Sequence, residues 1–148
     1  FDASGLRCAM RIERLPPSAH EFLRGTRLAV IAEKAEPAPH AVPLWFDWDG
    51  QAIEFFTRPN RPKVARLQAA PQITVLVSAE VAEPVYWVRI EGVATLHDDA
   101  AELVERLCGR YLDLADPAQR RLDADIRAMR HEAIRVRVEP ERFFHFQG

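Results

Sequence analysis

Hydrophobic and polar positions alternate along most of this chain with the period of β-strands. Asp49-Gly50 separates two such stretches and is a strong signal for a hairpin turn. Pro43 lacks the N–H that a central strand needs, so it indicates an edge strand or a bulge. Gly92 interrupts a long alternating stretch and predicts a bulge or a tight bend. The pattern predicts strands over residues 28–32, 40–48, 51–57, 72–79, 85–96, 132–138 and 142–147.

Two short helices are predicted in the first half of the chain. Ser18 and Glu21 have the spacing of a capping box, which predicts a helix over 18–24 that ends at Gly25. A second helix is predicted over 62–69, where apolar residues recur at helical spacing after a proline that suits the first turn. Both helices are too short to form a core by themselves, so they are expected to pack on strands.

The helical periodicity is longer in the second half. Asp99 and Glu102 form another capping-box pair, which predicts a helix from about 99 to 112. Asp116-Pro117 then opens a helix that runs to about 129. These two helices interrupt the series of strands once, rather than alternating with the strands, and this argues against a parallel sheet of βαβ units.

The predicted fold is therefore mainly β, a small antiparallel barrel with α-helices. It forms a single domain over residues 1–148. Its parts are a short helix at about 18–24, barrel strands within about 27–97 and 132–147, and a helical insertion at about 99–129.

Composition excludes several classes of function. The chain has 20 basic and 22 acidic residues, so its net charge of −2 offers no basis for broad binding of nucleic acids. No apolar run approaches the ~18 residues that span a bilayer, and no membrane partner is expected. Cys8 and Cys108 lie far apart, which excludes a zinc site built on cysteine pairs, and the five histidines share no metal-ligand spacing. Lone cysteines are typical of a reducing compartment, and a cytoplasmic location is expected.

A basic turn between a predicted strand and a predicted helix has the chemistry of a phosphate site. The helix start offers free N–H groups, arginine offers a bidentate fork, and lysine offers a point charge. A solvated basic turn without a ligand is the alternative. The candidate residues are Thr57, Arg58, Asn60, Arg61 and Lys63.

Seven aromatic residues fall mostly on three predicted neighbouring strands. Alone they indicate a barrel core or a dimer interface. Next to a phosphate site, they also suit an apolar wall for a flat aromatic cofactor with a phosphate tail. The seven are Trp45, Phe46, Trp48, Phe55, Phe56, Tyr86 and Trp87.

The stretch 28–96 resembles the flavin-binding split-barrel family, that is, the pyridoxamine 5′-phosphate oxidase-like proteins. The likeness lies in the order and spacing of several loose motifs that together cover about half the chain. They are Pro39-His-Ala-Val-Pro-Leu-Trp-Phe46, Asp49-Gly50, Glu54-Phe-Phe-Thr-Arg-Pro-Asn-Arg-Pro-Lys-Val-Ala-Arg-Leu67, Ala70-Pro71 and Tyr86-Trp-Val-Arg-Ile-Glu-Gly92.

The resemblance implies a six-stranded antiparallel Greek-key split barrel and a homodimer with the cofactor at the subunit interface. Thr57 and Lys63 match family positions that contact the flavin phosphate. The family's usual serine-arginine-lysine run reads Arg61-Pro62-Lys63 in this chain. Its middle arginine is therefore lost, and Arg61 or Arg58 would take its place. The strand Val42, Pro43, Leu44 and Trp45 would run along the isoalloxazine, and Phe56 and Trp87 would add aromatic contacts.

The function that the resemblance implies is an FMN-dependent oxidoreductase. A hydride would pass between a small-molecule substrate and N5 of the flavin. An F420-dependent reductase and a non-catalytic flavin-binding module are the alternatives. His40 and Trp45 stand where the specific oxidases carry arginine and lysine, so we expect no oxidation of pyridoxamine 5′-phosphate. The sequence identifies neither a catalytic side chain nor a metal ligand.

Overall fold

The computed structural model describes residues 10–148, and Cys8 lies outside this range. One antiparallel sheet of eight strands dominates the fold, accompanied by four helices. The strands are β1 (Met10–Ile12), β2 (Ala29–Glu33), β3 (His40–Leu44), β4 (Asp47–Trp48), β5 (Ile53–Thr57), β6 (Gln72–Ser78), β7 (Tyr86–His97) and β8 (Ile134–Gln147). The helices are α1 (Pro17–Arg24), α2 (Pro62–Ala69), α3 (Ala101–Tyr111) and α4 (Pro117–Ala128).

The sheet curls back on itself. Its strand order is β3-β2-β6-β7-β8-β5-β4, and β1 pairs with β8 outside this path. The path ends at β3 and β4, which are separated in the chain by only Trp45 and Phe46. The two ends of the sheet therefore meet on one segment. The mainly β, antiparallel, barrel-like fold is confirmed. The described residues form eight strands, where the pattern predicted seven and the resemblance implied six, because the predicted strand 40–48 breaks in two, β1 is added and the last two predicted strands form one.

The interior of this curled sheet is the main hydrophobic core. Alternate residues of β6 and β7 point inward and are buried, as the period of two requires. Helix α2 joins β5 to β6, which are not neighbours in the sheet, and it buries Leu67 in the same core. The largest fully buried side chains include Phe46, Phe55, Leu23, Ile31, Ile53 and Ile90.

The two strands predicted over 132–138 and 142–147 form a single strand, β8, which contains a bulge. Pro140 lies opposite Gly92 and Arg142 lies opposite Glu91, so one extra residue is inserted in β8. A Cβ at Gly92 would lie 2.2 Å from the carbonyl oxygen of Glu139, which explains the glycine. The bulge predicted at Gly92 is confirmed. Separate strands were the wrong interpretation because β8 stays paired with β7 on both sides of the bulge.

Helix α3 packs outside the sheet. A second cluster of buried residues, Ala100, Val104, Cys108 and Ala133, lies against this outer side of the barrel. The hydroxyl of Tyr111 donates to the carbonyl oxygen of Arg27 at 2.6 Å and thereby attaches the end of the helix to the strands. The external helix predicted over 99–112 is thus confirmed within one or two residues at each end.

Neither capping box forms. Helix α1 follows Pro16 and starts at Pro17, without a capping hydrogen bond from Ser18. The residue before α3 is Ala100, and the Asp99 carboxylate accepts hydrogen bonds from Arg135 on β8 instead. These predictions were wrong because a proline start and a tertiary ion pair replaced the local caps. The Asp116 cap is present, since its carboxylate accepts from the Ala118 N–H at 2.9 Å.

Candidate functional site

The predicted phosphate-binding residues lie together between β5 and α2. Thr57, the last residue of β5, is buried and pairs with Ile134 of β8. Arg58 and Arg61 are exposed, and Arg61 immediately precedes the helix. No side chain caps this helix. Pro62 has no N–H and the Val64 N–H donates to the Arg61 carbonyl oxygen at 3.0 Å, so among the described contacts the Lys63 N–H is the group of these three residues that can donate to a ligand.

Lys63 is the half-buried member of this group. Burial lowers its pKa, the negative charge of Glu33 raises it, and the positive charges of Arg66 and Arg61 lower it further. The net effect is a pKa below the usual lysine value, which makes the charged amine costly unless an anion is near. Within residues 10–148, neither Arg58, Arg61 nor Lys63 forms an ion pair.

The predicted ring-contact strand β3 has two different faces. Val42 and Leu44 pack against the main core, while Pro43 points outward and is exposed. Pro43 pairs with Val30 of β2, which also pairs with Leu76 of β6. The prediction that Pro43 marks an edge agrees with the place of β3 at one end of the strand path.

Pro43 begins a row of side chains that crosses the outer face of the sheet. Val30 and Leu76 are 38% and 37% exposed, high values for apolar residues in central strands. Leu76 pairs with Arg89 of β7, whose guanidinium carbon lies 4.0 Å from the ring centroid of Phe144 on β8. No helix of the described chain makes extensive contact with β2, β3 or β6, so this row forms a mainly apolar strip on the outer face.

Trp45 and Phe56 lie elsewhere, under the outer helices. Their rings make an edge contact with centroids 6.5 Å apart, and Trp45 stacks on Tyr111. Both residues border the cluster around Val104 and Cys108. The structure thus brings these two predicted contacts together with each other and with α3.

Trp87 is not brought next to β3 within the chain. Strands β2 and β6 lie between β3 and β7, where Trp87 is located. Its indole stacks on Phe146, with centroids 6.1 Å apart and planes 11° apart. Trp87 therefore lies three inter-strand spacings from β3, about 14 Å across the sheet.

Two open grooves of the described structure are lined by residues other than the predicted cofactor contacts. The larger, about 830 Å³, lies on the outer face and is bordered by Thr74, Glu91 and Arg142 among others. The smaller, about 530 Å³, lies between α2 and the ends of β7 and β8, next to the strand partner of Thr57. None of the ten predicted cofactor contacts is among the residues lining either groove.

Several functional candidates were missed from sequence. Glu33 was assigned to a turn, yet it ends β2 and is buried beside Arg66. Its spacing from Ala29 and Ile31 is the signal that would have placed it on the inward face. Tyr111 was missed because its stacking partner, Trp45, lies on a distant part of the chain, and residue spacing does not indicate such a contact.

No cluster in residues 10–148 could hold a metal ion through three or more His, Cys, Asp or Glu side chains. Over the same residues, no helix has the length and apolar character needed to cross a bilayer.

The family model described as pyridoxamine 5′-phosphate oxidase matches residues 15–139, which is most of the chain. The chain belongs to the pyridoxamine 5′-phosphate oxidase family. This membership confirms the resemblance drawn from the motifs in residues 28–96. No curated protein matches the chain.

Solved structures with the same fold include proteins named for different ligands. An F420 reductase is 18% identical, with 87% of this chain and 98% of that chain covered at a TM-score of 0.67. A FAD-binding protein from Mesorhizobium loti is 14% identical, with 96% and 99% covered at 0.64. A heme storage protein from Vibrio cholerae is 16% identical, with 91% and 96% covered at 0.62. At these identities the likeness concerns the fold alone.

Proposed function

We propose that this member of the pyridoxamine 5′-phosphate oxidase family is an FMN-binding oxidoreductase whose cofactor lies at the interface of a homodimer. The observation that carries the proposal is the set of cations at the start of α2 that form no ion pair with any described residue. Arg61 and Lys63 come four and six residues after the buried Thr57, and the helix start has no side-chain cap. A phosphate group would satisfy all of these groups at once.

The uncovered apolar face supports the homodimer. Exposed apolar surfaces of this kind usually mark association sites, and a two-fold axis would bring the same face of two copies together. Trp87 lies on that face and is separated from β3 by two strands. Association of two copies would allow Trp87 of one to approach a cofactor held by Pro43 and its neighbours in the other.

The side chains of this site bind and orient a cofactor rather than act as acids or bases. Lys63 and Arg61 would hold the phosphate, and the hydroxyl of Thr57 would add a neutral donor. The exposed face of β3 at Pro43 would lie along the ring system. When bound, the flavin would supply the hydride transfer at N5, while the protein supplies position and electrostatics.

F420 is the second candidate cofactor. Arg58 is exposed and forms no ion pair among the described residues, so the turn carries one more free cation than a single phosphate requires. The longer anionic tail of F420 would use this additional charge. One structure with the same fold is titled F420 reductase, in agreement with this alternative.

The test is to titrate the purified protein with FMN, riboflavin and F420 and follow the cofactor absorbance. We expect FMN to bind more tightly than riboflavin, and the bound flavin to bleach with a reductant such as NAD(P)H and recolour with an added acceptor. Tighter binding of F420 would select the second candidate. Flavin that binds but undergoes no turnover would instead indicate a non-catalytic module. Binding of none of the three would overturn the proposal.

Pyridoxamine 5′-phosphate is the substrate to exclude in the same assay. Trp45 is uncharged, and its ring contacts Phe56 and Tyr111. It therefore offers no cation to a substrate phosphate. We expect no formation of hydrogen peroxide from this compound with the FMN-loaded protein. A kcat/KM of about 10⁴ M⁻¹s⁻¹ or more would contradict this expectation.

A further inference from the structure

Glu33 is a buried carboxylate at the end of β2. It is only 2% exposed and lies on the same inward face as Ala29 and Ile31. Burial of a carboxylate is costly unless opposite charges and hydrogen bonds compensate for the lost water. The contacts of Glu33 therefore matter for the surrounding elements.

One carboxylate oxygen of Glu33 connects three elements of the fold. Oε1 accepts hydrogen bonds from Nε and Nη2 of Arg66 at 3.0 and 2.8 Å. The same oxygen lies 3.3 Å from Nδ1 of His40. Arg66 belongs to α2, which carries Lys63, and His40 is the first residue of β3. Both halves of the proposed cofactor site, the helix and the strand, are thus connected through Glu33.

The other oxygen, Oε2, is buried and has no hydrogen-bond partner among the described residues. Lys63 lies one helical turn before Arg66 on α2. The charge of Glu33 acts on this lysine, since it raises the Lys63 pKa against the effects of burial and of the neighbouring arginines. Glu33 is therefore electrostatically coupled to the lysine and bonded to the helix that carries it.

We propose that Glu33 is a positioning residue for the anion site, which fixes α2 against β3 and so holds Lys63 in place for an anionic group. Glu33 does not touch the ligand; it acts through Arg66 and His40. The identity of the anion as a cofactor phosphate rests on the proposed function, whereas the positioning of Lys63 does not.

The two lysines of the sequence make a direct test possible. Lys34→Arg leaves Lys63 as the only lysine, so isotope-labelled lysine gives one side-chain NMR signal that reports its titration. In this background, Glu33→Gln keeps the size of the side chain and removes its charge. We expect the Lys63 pKa to fall further, and the ratio of FMN affinity to riboflavin affinity to fall about tenfold. The matched control is Asp123→Asn, which removes another buried carboxylate paired with an arginine, Arg127.

The outcomes separate this inference from the proposed function. An unchanged Lys63 titration in Glu33→Gln would overturn the inference. Equal losses of FMN and riboflavin affinity with a lower melting temperature would also overturn it, since they would show a merely structural role. If the parent protein does not prefer FMN to riboflavin, the proposed phosphate site fails. The Lys63 titration, repeated with inorganic phosphate, then decides the inference alone.

A second variant covers the case in which Glu33→Gln does not fold. The double variant Glu33→Gln with Arg66→Gln replaces the ion pair by two amides that can bond to each other. We expect a smaller fall in the Lys63 pKa than in Glu33→Gln alone, because the loss of the Arg66 charge partly offsets the loss of the Glu33 charge. The ratio of FMN affinity to riboflavin affinity should still fall, and a ratio like that of the parent protein would overturn the inference.

Discussion

The indole of Trp45 stacks on the ring of Tyr111, with centroids 5.3 Å apart and planes 9° apart. The Tyr111 hydroxyl donates to the Arg27 carbonyl oxygen at 2.6 Å and accepts from the Phe46 N–H at 3.4 Å. Burial raises the pKa of this phenol, so it remains a donor over the neutral range. One side chain of α3 thus contacts the segment that closes the curled sheet.

The first prediction concerns this hydroxyl. Tyr111→Phe keeps the stacking on Trp45 but leaves the Arg27 carbonyl without its donor, so we expect a loss of about 1–2 kcal/mol in the free energy of unfolding. Urea unfolding followed by tryptophan fluorescence measures it. Tyr86→Phe is the control, because the Tyr86 hydroxyl has no partner among the described residues. Equal effects of the two substitutions would show that the hydrogen bonds of Tyr111 contribute nothing.

The second prediction concerns the bulge of β8. Gly92→Ala places a Cβ 2.2 Å from the Glu139 carbonyl oxygen, a backbone atom that cannot move without breaking the strand pairing. We expect a loss of about 2–3 kcal/mol, as for other overpacked sites. Gly109→Ala in α3 meets nothing within 4 Å and should stabilise the protein by about 0.5–1 kcal/mol. Thermal unfolding should show a lower melting temperature for Gly92→Ala and a higher one for Gly109→Ala. An unchanged melting temperature in Gly92→Ala would contradict the close approach.

The bulge of β8 and the turn at Asp49-Gly50 differ in how well the sequence predicts them. Asp49-Gly50 was predicted correctly because a turn is local: Gly50 has a φ of +94°, and the Asp49 carboxylate accepts from the Ala52 N–H at 2.8 Å. The continuity of β8 depends on its pairing with the distant β7, which the residues at 139–141 do not encode by themselves. Asp99 has the spacing of a helix cap but binds Arg135 instead. Contacts between residues far apart in the chain therefore determine the continuity of β8 and the partner of Asp99, and the local sequence pattern does not predict them.

The same limit applies to the site. The strand–turn–helix segment that carries Thr57 and Lys63 is contiguous in the chain, and its arrangement was predicted. Trp45 and Phe56 were predicted as cofactor contacts from the family resemblance, and nothing in the sequence indicated that their neighbours in the fold include residues of α3, about 50 residues away in the chain. Glu33 was missed because its partners, His40 and Arg66, lie on different elements.

The third prediction concerns the stability of the fold in acid. Burial opposes ionisation of Asp49, but hydrogen bonds from Arg137 and from the Ala52 and Gln51 N–H groups lower its pKa overall. Since the pKa is lower in the folded state, the stabilisation is present above the ordinary carboxyl pKa and is lost as the pH falls through the folded value. Asp49→Asn should cost up to about 1 kcal/mol at neutral pH, a figure typical of exposed ion pairs, and less in acid. Urea unfolding at pH 7 and pH 3 measures this, with Asp98→Asn as an exposed control; an equal loss at both pH values would contradict it.

The fourth prediction concerns the phosphate anchor. Lys63→Ala removes a charge-assisted contact of roughly 1.5–3 kcal/mol, so FMN affinity should fall about ten- to a hundredfold. Riboflavin has no phosphate and should lose little affinity. Fluorescence titrations of both ligands measure the difference. Lys34→Ala removes an exposed lysine in the loop after β2 and should leave both affinities unchanged. A parallel loss of FMN and riboflavin would mean that Lys63 is structural.

The fifth prediction concerns the uncovered face. Leu76→Glu places a carboxylate in the middle of the apolar row, where association would remove it from water. We expect a dimer at micromolar concentration for the parent protein and an increase of about a hundredfold or more in the dissociation constant for the variant. Leu122→Glu, at a leucine of α4 that is 44% exposed against 37% for Leu76, should leave the dimer intact. Sedimentation velocity distinguishes them, and a monomeric parent protein that still binds flavin would contradict the interface site.

The short corner of Trp45 and Phe46 between β3 and β4 has a consequence for aggregation. A sheet that ends in a long free strand offers a template on which other chains can add strands. Here one end of the path is β4, only two residues long, and the other is β3, where Pro43 has no N–H to donate. Extended polymers grown by strand addition at these ends are therefore disfavoured, and the protein can expose apolar side chains on a sheet face without offering a row of unpaired backbone groups beside them.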